Sequence, residues 1–181
     1  MWDWKLFESS FGGAPKAVAA YRLFVDEEVI RIEFMADSPA TLCPEAEPGA
    51  FFEGLWRYDC GELFLYSPSN GRYVEFNLSP NGAWWSCVFS APRVRDQQCS
   101  PPEIETSSSV AEERWRAGFE VSLEEIYRCL GTVDDLRGNV TLVLGHSPDH
   151  DTPLTNLHTI APLSEVNFHL PNDWVPLEKL H

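Results

Sequence analysis

The hydrophobic pattern of this chain repeats every two residues, and that period excludes most folds. In residues 28–34, Ile30, Ile32 and Phe34 fall on one side and Val29, Arg31 and Glu33 on the other, the signature of a half-buried β-strand. Residues 73–78 alternate likewise, setting Val74, Phe76 and Leu78 against Tyr73, Glu75 and Asn77. Residues 62–66 read as a short apolar strand, 114–121 as a strand with Trp115, Ala117, Phe119 and Val121 on one side, 139–144 as a β-branched run and 173–177 as a last strand. Ser79-Pro80-Asn81-Gly82 marks a turn, because Asn-Gly accepts the positive φ of tight hairpins, so residues 72–90 are predicted to form a hairpin. Helix is expected only over 122–131, which begins with a Ser cap, carries acidic residues in its first turn and ends on Gly. The Pro- and Ser-rich stretches 36–55 and 92–110 read as surface loops. Many short strands at hairpin spacing predict an all-β fold, a single antiparallel β-sandwich with one or two short helices.

Composition sets the outer limits. With 181 residues one domain over 1–181 is expected, long enough to bury a core without disulfides or a metal. Thirteen Lys+Arg against 28 Asp+Glu leave a net charge of −15, which repels phosphate backbones and anionic lipid. Neither nucleic acid nor a membrane is therefore an expected partner, and no apolar run reaches the roughly 18 residues of a spanning helix. The first residues lack a basic region followed by an apolar one, so no secretory signal is read. Cys43, Cys60, Cys87, Cys99 and Cys129 are odd in number and form no C-x-x-C pair. Free thiols in a cytoplasmic protein are the expectation.

Residues 55–90 carry the most distinctive motif: Leu-Trp-Arg-Tyr-Asp-Cys-Gly-Glu-Leu-Phe-Leu, then Arg-Tyr-Val-Glu-Phe-Asn-Leu-Ser-Pro-Asn-Gly-Ala-Trp-Trp. With Asn167-Phe168-His169 near the C-terminus, this resembles the DOMON-like bacterial proteins related to family 9 carbohydrate-binding modules. There a Leu-Trp, a short acidic stretch and Glu-Leu-Phe precede a Tyr-x-Glu-Phe-Asn-x-Ser-Pro-x-Gly-x-Trp hairpin, and an Asp-Phe-His lies near the last strand. The resemblance implies an immunoglobulin-like or jelly-roll sandwich whose ligand sits on one sheet face or at its edge. It implies further that Trp56, six residues before Glu62, is one aromatic wall around a sugar, with Trp174 as the second. Gly61 departs from the pattern, since many relatives carry a larger residue there.

Strand parity suggests where such a ligand would sit. If Leu63, Leu65, Val74, Phe76, Leu78, Trp85, Cys87 and Phe89 face the core, then Glu62, Phe64, Tyr66, Tyr73, Glu75, Asn77, Trp84 and Ser86 share the opposite face. Carboxylates and an amide for hydroxyls, beside aromatic rings for C–H faces, are what sugar recognition requires. Arg114, Arg116 and Glu120 are candidates to extend that face. The expected site is therefore Trp56, Glu62, Tyr73, Glu75, Asn77 and Trp84, with His169 and Trp174 closing one end, and its ligand a neutral or cationic small molecule rather than a phosphorylated one. The competing reading is a face covered by loops 36–55 and 92–110, its polar groups purely structural.

Other chemistries remain open on the sequence. Glu62 and Glu75 on neighbouring strands permit a glycosidase-like carboxyl pair, although no nucleophile, base and oxyanion donor can be assembled and a non-catalytic binding role is expected. An aromatic face also suits a protein partner. No cofactor is predicted. A metal would have only His146, Asp149, His150 and Asp151 on one turn-forming loop, and haem would need Met35 with His146, His158 or His169.

Overall fold

The computed structural model describes residues 3–15, 17–145 and 156–181. Twelve strands form two antiparallel sheets among the described residues. The five-stranded sheet runs β1 (Lys5–Leu6), β2 (Ala19–Val25), β3 (Val29–Ala36), β9 (Trp115–Ser122), β8 (Glu105–Val110). The seven-stranded sheet runs β11 (Leu157–Thr159), β10 (Arg137–Val143), β4 (Cys60–Tyr66), β5 (Tyr73–Leu78), β6 (Trp84–Ala91), β7 (Val94–Arg95), with β12 (Val175–Pro176) alongside β10. The protein is an all-β sandwich, as the two-residue period requires.

The inward side chains are those the alternation picks out. Ile30, Ile32 and Phe34 from one sheet meet Leu63, Leu65, Val74, Phe76 and Leu78 from the other, all fully buried, and Phe76 packs on Phe119 with ring centroids 5.2 Å apart. Gly61 has a structural reason here. A Cβ at this position would lie 2.5 Å from the Phe34 ring, so the absent side chain is what lets Phe34 approach β4. Trp115 and Phe119 are buried in the same core.

The one helix among the described residues, α1 (Leu123–Leu130), lies within the expected stretch. The Ser122 hydroxyl accepts the Glu125 N–H, and Gly131 ends the helix in the left-handed region at φ 73°, the capping chemistry that Ser and Gly supply. Ile126, Cys129 and Leu130 close one side of the core.

Some elements differ from expectation. The stretch 92–110 contains β7 and β8 rather than loop alone; β8 is an edge strand whose polar residues are almost all exposed, so no burial imposes an alternating pattern on it. The last strand is only Val175–Pro176, followed by a 3₁₀ turn over Leu177–Lys179. Strand β2, which the alternation does not mark, pairs with β3 along its whole length. All five cysteines are unpaired.

Candidate functional site

The hairpin β5–β6 decides which residues share the outer face of the seven-stranded sheet. Leu78 pairs with Trp84, Phe76 with Ser86 and Val74 with Val88, while Asn77 pairs with Trp85, Glu75 with Cys87 and Tyr73 with Phe89. Directly opposite residues point to the same side. Trp84, Ser86 and Val88 therefore turn inward, and Trp85, Cys87 and Phe89 join Glu75 outside, the reverse of the parity expected for β6. The cause is turn length. A two-residue Asn81-Gly82 hairpin would set Pro80 opposite Ala83, whereas here the Ser79 N–H donates to Ala83 O at 2.8 Å and Pro80, Asn81 and Gly82 form a longer loop. A one-residue difference in register exchanges the faces of a whole strand.

The outer face is partly covered, and a cavity of about 470 Å³ remains. Glu62 on β4 and Glu75 on β5 lie in its floor; Trp85 and Phe89 come from β6, Arg93 and Arg95 from the β6–β7 hairpin. Trp56, from a 3₁₀ turn over Leu55–Arg57 that Gly54 enters at φ 103°, packs edge-on against Trp85 at 5.5 Å. The segment bearing Asn167, Phe168 and His169 forms another wall, and Phe11, Val143 and Leu157 line the side toward β10 and β11. Neither loop 36–55 nor 92–110 seals the face.

The expected site residues divide accordingly. Trp56, Glu62, Glu75 and His169 line one cavity. Tyr73, Asn77 and Trp174 are completely buried and lie behind it. Trp174 packs on Phe64 (5.1 Å) and Tyr73 (5.3 Å) and donates its indole N–H to Phe168 O at 3.1 Å, so it braces the wall and is not itself one. Trp84 sits on the other side of the sheet, edge-on to Phe51 at 4.9 Å. Arg114, Arg116 and Glu120 belong to the opposite sheet's outer side: Arg114 pairs with Asp37, Glu120 with Arg31, and Arg116 lies over Trp4. Sequence reasoning missed Trp85, Phe89, Arg93 and Arg95. The first two were hidden by the register, and the arginines by their place in an exposed hairpin with no apolar period.

Electrostatics distinguish the floor from the rim. Burial pushes the Glu62 carboxyl up to about 7, even though Thr141 Oγ1 donates to its Oε2 at 2.5 Å. Burial, and then the charge of Glu62, pushes Glu75 up to about 8. Two buried carboxyls this close resist joint ionisation. His169 is held down near 4 by burial and by Arg93, so it is neutral. Tyr73 Oη accepts the Arg93 backbone N–H (3.0 Å) and shares a hydrogen bond with His169 Nδ1 (2.8 Å); with the phenol as donor, the ring carries its proton on Nε2, 3.8 Å from Glu75 Oε2. At the rim Arg95 pairs with Glu53 and lies 5.2 Å from the Trp85 ring.

The described haem candidates lie in three different parts of the fold. Met35 lies outside the five-stranded sheet, opposite Arg116, His169 lies outside the other sheet, and His158 is buried beside Phe7 with Nδ1 3.1 Å from Leu142 O. The metal candidates His146, Asp149, His150 and Asp151 lie outside the described residues, as does the haem candidate His146. Among the described residues no three His, Cys, Asp or Glu side chains gather as a metal site.

No protein-family model matches the sequence, and no curated protein does. Solved structures do match in three dimensions. A candidate carbohydrate-binding protein from Bacteroides uniformis superposes with a TM-score of 0.70 at 14% identity, over 96% of this chain and 84% of that one. A family 9 carbohydrate-binding module from Caldicellulosiruptor kristjanssonii in complex with glucose gives 0.62 at 9%, over 96% and 81%. A module of the same family and source in complex with cellotriose gives 0.60 at 9%, over 96% and 80%. The likeness spans nearly the whole chain, and this protein has the fold of the family 9 carbohydrate-binding modules.

Proposed function

We propose that this chain is a non-catalytic sugar-binding module and that the cavity above Glu62 and Glu75 is its site. One observation carries the reading: a carboxyl pair in the floor of a cavity of about 470 Å³, beside two indoles packed edge to face at 5.5 Å. Carboxyls exchange hydrogen bonds with hydroxyls, and an indole face covers the C–H side of a pyranose. The cavity falls within the volume range of small-molecule sites. The fold supports the same reading, since modules that share it hold glucose and cellotriose. A hydroxyl-binding role for the pair is supported by Glu62, one of whose oxygens already accepts from Thr141. Five unpaired cysteines fit the expected reducing compartment.

One stacking contact and a few hydrogen bonds yield weak binding, roughly micromolar to millimolar. Calorimetry or NMR titration with mono- and disaccharides tests the proposal. Shifts that map to the cavity and are lost in Trp85→Ala and Glu75→Gln support it. Absence of any shift at millimolar sugar removes it, and steady hydrolysis of chromogenic glycosides that Glu75→Gln abolishes would replace it with an enzyme.

A further inference from the structure

The β6–β7 hairpin contains a residue in an unfavourable conformation. Ala91 pairs with Val94, so Pro92 and Arg93 form the corner, and Arg93 has φ 61°. Proline suits the first corner of such a turn, but the second is a position for Gly or Asn, which bear positive φ at little cost. An arginine there costs conformational free energy, and strain of this kind gathers at functional sites. The surroundings hold it in place: the Arg93 backbone N–H donates to Tyr73 Oη at 3.0 Å.

What the strained corner achieves is the placement of a guanidinium on the cavity rim. Its neighbour Arg95 also lines the cavity, but Glu53 compensates that charge. The Arg93 guanidinium instead meets a neutral side chain, Nη2 donating to Asn167 Oδ1 at 2.9 Å. Asn167 is oriented from its far side, its Nδ2 donating to Glu165 Oε1 at 3.3 Å. Among the described residues no carboxylate pairs directly with Arg93. The guanidinium thus stands exposed at the mouth of the cavity with its charge uncompensated by a direct ion pair.

We propose that Arg93 is a specificity residue and that the cavity selects sugars bearing a carboxylate, which the Arg93 guanidinium receives. This rests on the sugar-binding reading and narrows it to sugar acids. A planar guanidinium matches a planar carboxylate through two parallel hydrogen bonds. The floor does not oppose such a ligand: Glu62 and Glu75 are pushed toward their protonated forms and can donate to an anion. A monoanion fits better than a phosphate, whose second charge lacks a partner, and a short sugar fits better than a polyanion, which the acidic surface repels.

The test uses matched pairs, glucose with glucuronate, galactose with galacturonate and mannose with mannuronate, titrated into the full chain at neutral pH. The variants are Arg93→Gly and Arg93→Lys. Gly tolerates the left-handed corner, so Arg93→Gly removes the guanidinium without straining the turn. In at least one pair the acid is expected to bind about tenfold or more tighter than its parent. That ratio should fall toward one in Arg93→Gly, with no loss of melting temperature, and be partly retained in Arg93→Lys. Neutral sugars that bind as well as their acids, or a ratio that survives in Arg93→Gly, overturn the inference and leave the sugar site intact. If no sugar of either kind binds, the site reading falls and the inference falls with it.

Discussion

Tyr73 and His169, 96 residues apart, are joined by a hydrogen bond of 2.8 Å between Oη and Nδ1. Through it the floor of the cavity is tied to its wall. Tyr73 is wholly buried on β5, stacked on Phe89 at 4.6 Å with an interplanar angle of 5°, and is therefore rigid. His169 inherits that rigidity, and so does the corner at Arg93, whose N–H uses the same phenol oxygen. Tyr73→Phe deletes both bonds and is expected to cost about 1–3 kcal/mol. In wild type, ¹⁵N shifts of the His169 ring should report the Nε2–H tautomer, neutral at pH 6. A ring that titrates near 6.5 would contradict this arrangement.

The two indoles that adjoin in sequence should behave differently. Trp85 lines the cavity, whereas Trp84 points inward on the other side of the sheet. Trp85→Ala is expected to abolish measurable sugar binding. Trp84→Ala should lower stability by about 2 kcal/mol and leave the cavity's tryptophan pair in place. Denaturant melts and sugar titrations on the two variants separate the faces; an exchange of the two phenotypes would return the register to the shorter turn.

Stability should fall as pH rises above neutrality. Glu62 and Glu75 have raised values of about 7 and about 8 against an ordinary 4.5. Their contribution is complete below 4.5 and is lost as pH climbs through the folded values. His169 works in the opposite sense. Its value is lowered from 6.5 to about 4, so its contribution is present above 6.5 and lost in acid. The groups that face the pair are Thr141, Asn77, His169, Arg93, Arg95 and the thiols of Cys60 and Cys87; the arginines stay charged throughout, and burial pushes both thiols up, so they stay protonated. Between about pH 6.5 and 8.5 the carboxyl pair dominates, and the melting temperature should decline there by an amount equivalent to a few kcal/mol. Glu75→Gln should flatten the decline. A melting temperature that rises across this window in the wild type excludes the buried-pair account.

Gly61 predicts a clash that can be relieved. A methyl group there meets the Phe34 ring at 2.5 Å, so Gly61→Ala should destabilise by about 1–3 kcal/mol through overpacking. Adding Phe34→Leu to Gly61→Ala should recover part of that loss, although Phe34→Leu alone is destabilising. Strict additivity in the double-mutant cycle would show that the two positions do not press on each other.

The strands that carry the core of both sheets, and the helix, were legible in the sequence, whereas β2, β7 and β8 were not. Ile30, Ile32 and Phe34, or Val74, Phe76 and Leu78, can be buried together only in extended backbone, because period two is a local property of the chain. Ser122 and Gly131 bound α1 for equally local reasons. Glu62 and Glu75 were legible as a pair because neighbouring strands with marked faces bring them close. Everything that depends on a register or a distant contact was settled by packing instead. The Ser79–Ala83 connection set Trp85 rather than Trp84 over the carboxyls. Trp174 became a brace because the chain packs it behind Phe64 and Tyr73. Arg93 entered the site through a corner held by a phenol 20 residues away. Such outcomes turn on one residue of loop length or on side chains remote in sequence, and no periodicity records either.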